Sequence, residues 1–209
     1  MARPKEALIS CESVIAAAMA IMDSDGFESL SLRRLGTDLK VNSASLYHHF
    51  KNKEDILLAV ARTALRDMQL PPLTDDWQKW ISENAVIYRR LLIARPFLIP
   101  LMLNGVRPRT LATAITEAKL TEAGVPSHMQ AEMIFALDTA VIGSALVSIA
   151  TQKELKNTAR KPHFDHEKVL RGTITALLAS LMDEFAPAVW RRRKKAKAPE
   201  DRPVTSRTK

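Results

Sequence analysis

A single cysteine, Cys11, leaves the chain without an internal disulfide and without a cysteine-rich zinc module. Such sparing use fits a reducing compartment, the cytoplasm. Glycine is scarce, at six residues in 209, and aromatic residues make up only 5%, so the turn-rich, aromatic-rich composition of β-sheet proteins is missing. The opening MARPKEALIS has no apolar run of secretory-signal length. Two apolar stretches, 91–103 and 133–150, are interrupted by Arg95, Pro96 and Pro100 in the first and by Asp138 in the second, which argues against a membrane span. What the chain does have is Ala, Leu, Met, Glu, Lys and Arg in abundance and 46% hydrophobic content, enough for a sizeable core. An all-α fold is the expectation.

Charge has to be located before it carries meaning. The formal net charge is +8, yet residues 1–70 hold nine basic and nine acidic side chains, whereas 188–209 hold nine basic and two acidic. The excess sits in a terminal stretch containing RRRKKAK, Pro199 and Pro203, which reads as a basic disordered tail. A tail of this kind adds sequence-independent attraction to phosphates and cannot select a site.

Apolar residues at spacings of three and four predict an amphipathic helix from Pro4 to Ser24, with Leu8, Cys11, Ile15, Ala18 and Met22 on its buried stripe. Asp25-Gly26 ends it, with Phe27 folding back on the stripe. Ser29 or Ser31 caps a second helix through Leu32, Leu35 and Leu39. After the short break Lys40-Val41-Asn42, Ser43 caps a third, holding Leu46, Tyr47 and Phe50. A fourth runs from Lys53 with Ile56, Leu57, Val60, Ala61, Ala64 and Leu65 as its buried side. Two short helices joined by a tight turn and flanked by longer ones make a helix-turn-helix. With Leu46 and Phe50 turned inward, Ser43, Ser45, Tyr47, His48 and His49 are left outward. That surface suits the major groove: short side chains permit close approach, and Tyr and His offer hydrogen bonds and apolar contact.

Beyond Pro71-Pro72 the helices lengthen: Asp75 to Arg95, a brief turn framed by Pro96 and Pro100, Pro108 to Glu122, Ser127 to about Lys153, and Asp165 to Phe185. The organisation expected is an N-terminal three-helix helix-turn-helix DNA-binding domain over 1–67, a larger helical ligand-binding and dimerisation domain over 68–187, and the tail over 188–209. Cys11 is assigned to the core, and Met129, Met133 and Met182 to dimer or core packing rather than to a special lining. His163, Asp165 and His166 are read as a polar loop entering a capped helix rather than as a metal cluster.

The stretch DGFESLSLRRLGTDLKVNSASLYHHFKNKEDIL resembles the TetR family of bacterial transcriptional regulators: Gly-aromatic after the first helix, Ser/Thr before an Arg-x-Leu helix, a turn ending in Val, then Leu-Tyr-x-His-Phe-x-x-Lys. Two positions depart from the pattern. Gly36 stands where Ala is usual, which loosens packing, and Lys40 replaces a turn glycine, which asks a positive φ of a side chain that tolerates it less well. The resemblance implies that Tyr47 and His49 touch the sugar-phosphate backbone and that Asn42, Ser43, Ala44, Ser45 and His48 approach base edges. It also implies that Arg33 and Lys53 reach phosphates, Lys53 together with the amides that open its helix.

The segment DDWQKWISENAVIYRRLLIARPFLIPLMLNGVRP resembles the ligand domain of the tetracycline-repressor branch, with Trp77, Asn84, Tyr88 and Arg107-Pro108 in register. Leu103, Asn104 and Gly105 stand where tetracycline-responsive members carry a metal-coordinating His, which argues against a metal-chelated ligand. The candidate ligand residues are Asn84, Ile87, Tyr88, Leu91, Leu103 and Val106. They suggest an apolar cavity for a flat, largely hydrophobic effector, with ordinary core as the alternative. No cofactor is expected. Because one helix-turn-helix reads few base pairs, two copies are needed. Leu137, Val141, Gly143, Leu146 and Val147 with Ile174, Leu177, Leu178 and Leu181 are the faces expected to pair into a four-helix bundle. The function expected is a homodimeric, ligand-responsive repressor on a palindromic double-stranded operator, in the bacterial cytoplasm at the nucleoid. The rival classes are a helical metal-dependent enzyme using His48, His49, His163 or His166 and a sequence-nonspecific DNA-compacting protein.

Overall fold

The computed structural model describes residues 9–155 and 164–185. Among these are nine α-helices and a 3-10 turn at Phe27–Ser29: α1 (Cys11–Asp25), α2 (Leu32–Asp38), α3 (Ser43–Leu46), α4 (Lys53–Arg66), α5 (Trp77–Ala94), α6 (Leu98–Leu103), α7 (Leu111–Glu122), α8 (Ser127–Leu155) and α9 (His166–Phe185). No strand occurs among the described residues, as an all-α composition requires. The basic tail, His163, and the side chains of Leu181 and Met182 lie outside the described residues.

Ser10 starts α1 through a reciprocal capping box with Ser13, so α1 begins at Cys11; Pro4 and Leu8 lie outside the described residues. Its buried stripe runs through Val14, Ala18, Ile21 and Met22. Cys11 is therefore not a core residue: it lies on the first turn, off that stripe, and is exposed. Gly26, at φ 86°, ends α1 by donating its N–H to the Met22 carbonyl, and Phe27 packs back on the core. Ser31 caps α2 by accepting from the Arg34 amide.

The α2–α3 corner turns on two backbone features. Lys40 adopts φ 56°, the left-handed conformation that closes a helix. Gly36 accepts from the Val41 amide at 2.9 Å, and a Cβ on it would stand 3.0 Å from the Val41 carbonyl oxygen and 3.2 Å from the Ser43 nitrogen. Gly36 thus does not loosen packing; it lets the turn close onto α2. The cap of α3 is Asn42 rather than Ser43, its Oδ1 accepting from the Ala44 amide.

Every residue expected on the buried side of α4 is buried. Further on, Trp80 is fully buried and donates its indole N–H to the Pro71 carbonyl, while Lys119 reaches from α7 to the Thr74 carbonyl at 2.7 Å. These two bonds hold the 67–76 segment against the larger helices. There α5 packs on α8 and α9, and two bidentate ion pairs join α5 to α9: Arg90 with Glu167 and Arg171 with Glu83. By length and composition alone Ser127–Glu154 could cross a membrane, so Asp138 does not disqualify it as expected. In the fold it is the central helix against which α5, α7 and α9 lie.

Candidate functional site

Two places bring candidate residues together. At the first, α3 is held by Leu46, 1% exposed, and the chain beyond it continues as tight turns in which Tyr47 and His48 donate to the Ala44 and Ser45 carbonyls. This geometry turns one edge outward: Arg33, Asn42, Ala44, Tyr47, His48 and His49 are exposed, and Ser43, Ser45 and Lys53 are half-buried. Arg34 is taken up by Asp25 and Asp38, whereas Arg33 has no ion pair among the described residues. Asn52 and Asp55 are spent on the start of α4, where Asp55 accepts from the Lys51 amide and Asn52 from the Asp55 amide. His49 lies against the first turn of α1, its Nδ1 3.8 Å from Cys11 Sγ. The Glu12 backbone amide and then the Ser10 hydroxyl hold the Glu12 carboxyl there below its ordinary value, with a smaller contribution from His49. No cluster of three or more His, Cys, Asp or Glu that could hold a metal is found among the described residues. The arrangement is a polar, partly aromatic edge in which Asn42 is held by the start of α3 and His49 by Cys11, while Arg33 carries no ion pair among the described residues, and its exposed side can face phosphates and bases.

At the second, a cavity of about 480 Å³ opens between α4, α5, α7 and α8 and the 107–110 segment. Asn84 and Tyr88, one turn apart on α5, both line it. Ile87, Leu91, Leu103 and Val106 do not. Ile87 and Leu91 lie on the adjoining sector of α5, and Leu103, at the end of α6, is 67% exposed. The walls are also more polar than expected. Alongside Leu65, Ile134 and Val141 stand Arg107, Arg109, Thr113, Thr116, Glu117 and Asp138. Arg109 pairs with Glu117, and Thr116 donates to the Ala112 carbonyl. Burial raises the Asp138 carboxyl above its ordinary value, against the opposing pull of Arg107 at 3.8 Å. Burial, then the Asp138 charge, raises the Tyr88 phenol. Asn84 Oδ1 is buried and has no hydrogen-bond partner among the described residues. Asp138 was the signal available in the sequence, the lone charge within the apolar run 133–150.

The faces expected to pair divide, with Leu177 half-buried between the two groups. Leu137, Val141, Ile174 and Leu178 are consumed by the chain's own core, while Gly143, Leu146 and Val147 on α8 stay exposed.

Residues 14–60 match the family model of the bacterial regulatory proteins, tetR family. The tetracycline repressor protein class E of Escherichia coli is 36% identical over 90 residues, 42% of this chain and 43% of that protein. The class C repressor of Escherichia coli is 38% identical over 86 residues, 40% and 39% of the two chains. The match thus spans about two-fifths of the length of these curated relatives. Among solved structures, a TetR variant from Acinetobacter baumannii AYE in complex with minocycline superposes with a TM-score of 0.68 at 25% identity, covering 84% of this chain and 97% of that one. The TetR family protein ActR of Streptomyces coelicolor, in complex with actinorhodin, gives 0.70 at 22% identity, over 87% and 99%. The latter likeness is one of fold.

Proposed function

Because the chain belongs to the tetR family of bacterial regulatory proteins through residues 14–60, we propose that it is a homodimeric transcriptional repressor released from a palindromic operator by a small molecule. One observation carries this: α4 is common to both sites. Its first residue, Lys53, follows the α3 edge directly, and its last turn with the residues just beyond it supplies Leu65 and Met68 to the cavity wall. A molecule that fills the cavity presses on the same rigid helix that positions the DNA edge. In a symmetric pair, tilting α4 alters the separation of the two edges, and a fixed half-site spacing makes that change costly for DNA binding.

In this reading Asn42, Ser43, Ala44, Ser45 and His48 approach bases, and Arg33, Tyr47, His49 and Lys53 position the backbone. Asn84 and Tyr88 contact the effector, and the partner copy docks on Gly143, Leu146 and Val147. The Acinetobacter relative, solved in complex with minocycline, supports the reading that this chain takes a small molecule.

The experiment is a gel shift of the purified protein on the DNA flanking its own coding region, against an unrelated fragment at several salt concentrations. Selective retention that is lost when Tyr47 and His48 are both replaced by Ala supports the proposal, each contact being worth about 1–3 kcal/mol. Equal retention of both fragments, weakening with salt, would instead indicate binding by charge alone.

A further inference from the structure

The effector of this cavity has a chemistry that the walls constrain. Asp138 lies one turn from Phe135 on α8, and Arg107 bridges the two: its guanidinium stands 3.8 Å from the Asp138 carboxylate and 5.7 Å from the centroid of the Phe135 ring. A cation between an acid and an aromatic face is therefore the arrangement this wall already holds. Arg107 holds it loosely, since its side chain is 43% exposed and it leaves the separation longer than a hydrogen bond. Deeper in the cavity, Asn84 Oδ1 is a buried acceptor with no donor. Once Arg107 is displaced, Asp138, Asn84 and Tyr88 present the two carboxylate oxygens, the amide oxygen and the phenol oxygen as acceptors, against the Asn84 amide and the Tyr88 hydroxyl as donors. Arg109 does not alter that balance, because Glu117 pairs with it. A carboxylate displacing Arg107 would face Asp138 as a like charge and leave the Asn84 oxygen without a donor, whereas an ammonium or amidinium donates to acceptors of this kind.

We propose that the cavity takes a flat aromatic molecule bearing a protonated amine or amidine, which replaces the Arg107 guanidinium between Asp138 and Phe135 and donates to Asn84. This deepens the reading of the cavity as the effector site and rests on it. Replacing the guanidinium also frees the segment that begins at Arg107. Pro108, Arg109 and Thr110 of that segment line the same cavity as Leu65 and Met68, so a ligand at Asp138 has a short path to α4.

The test compares two probes of similar outline on the full chain: 9-aminoacridine, a planar cation, and 9-anthracenecarboxylate, a planar anion. Each is titrated by fluorescence against the wild type, Asp138→Asn and Arg107→Gln. Circular dichroism and thermal unfolding confirm that each variant is folded. The expected result is that the cation binds wild type at least about tenfold more tightly than the anion, a difference of about 1.4 kcal/mol. Asp138→Asn should remove that preference, and Arg107→Gln should keep or increase it. The proposal is overturned if the anion binds equally or better, if Asp138→Asn retains the preference, or if neither probe binds. A winning anion would point instead to the adjoining cavity of about 290 Å³, where Arg62, Arg66 and Arg109 lie. Repeating the gel shift with each probe separates the two layers. Cation binding without release of DNA supports the ligand class and removes the effector reading, while release by the anion alone does the reverse.

Discussion

Between Ser31 and Asp55 nearly every backbone decision is made by a neighbour a few residues away, whereas the wall around Asn84, Tyr88 and Asp138 is assembled from segments spread between α4 and α8. In the first region Ser31, Asn42 and Asn52 each cap the helix that follows within three residues, and Gly36 and Lys40 close the turn between. In the second, the acidic floor depends on how far α5 and α8 are rotated about their axes, and long-range ion pairs such as Arg171–Glu83 tie that arrangement to α9. The difference teaches where each region can be damaged. Local chemistry decides whether the outward α3 edge exists; tertiary contacts decide the shape and charge of the cavity.

The largest effect that would sharpen the contrast is Gly36→Ala. The new methyl would meet backbone atoms at 3.0–3.4 Å, which can move only by opening the turn. Overpacking of this kind costs about 1–3 kcal/mol. Denaturant unfolding should show that loss, and operator affinity should fall with it, while probe binding in the cavity stays as in wild type. If cavity binding weakened equally, the two regions would not be independently specified.

The same contrast explains what was legible in the sequence. The buried side of α4, the Gly26 stop and a serine cap at Ser29 or Ser31 follow from residue type and spacing within one turn or two, and the positive φ of Lys40 follows from the resemblance, which has a turn glycine there; the structure has them, with Ser31 as the cap. Cys11 was misplaced because the apolar stripe of α1 also admits a rotation through Val14 and Ile21, and only the packing of α1 against α4 selects between them. Asn84 and Tyr88 line the cavity but Ile87 and Leu91 do not, since periodicity identifies a face without telling which sector of it meets a void. Leu137, Val141, Ile174 and Leu178 were likewise assigned to pairing between copies. Hydrophobicity alone does not distinguish a partner helix in the same chain from one in another.

A smaller effect of opposite sign is expected from Lys40→Gly. Holding an L side chain at φ 56° costs roughly 1–2 kcal/mol, and glycine's greater freedom when unfolded returns about 0.5–1 kcal/mol of that. The net gain of about 0.5–1 kcal/mol should appear as a raised denaturation midpoint with unchanged DNA specificity, because Lys40 closes the turn without belonging to the outward edge. A drop in stability would mean that the Lys40 side chain contributes something the turn geometry does not reveal.

The smallest effect tests the larger domain through acid. Hydrogen bonds from Arg171 and Arg90 hold the Glu83 and Glu167 carboxyls below the ordinary 4.5. A depressed carboxyl contributes stability that is present above 4.5 and is lost as pH falls through its lowered folded value. Asp138 has the opposite sign: burial raises its carboxyl above 3.8, so the folded chain takes up that proton first and recovers stability as the medium begins to acidify. Asp138→Asn removes this compensation and leaves the losses from the depressed carboxyls unopposed, those of Glu12 and Asp165 beside the two glutamates. Both ion pairs are solvent-screened, with Glu83 40% and Arg90 61% exposed, so each is worth about 0–1 kcal/mol at most. In the Asp138→Asn background, unfolding between pH 7 and pH 3 should show a decline that adding Glu83→Gln and Glu167→Gln makes shallower. An equal decline in both backgrounds would place the acid sensitivity elsewhere, and α9 would then be held to α5 by its apolar face of Leu170, Ile174 and Leu178 rather than by charge.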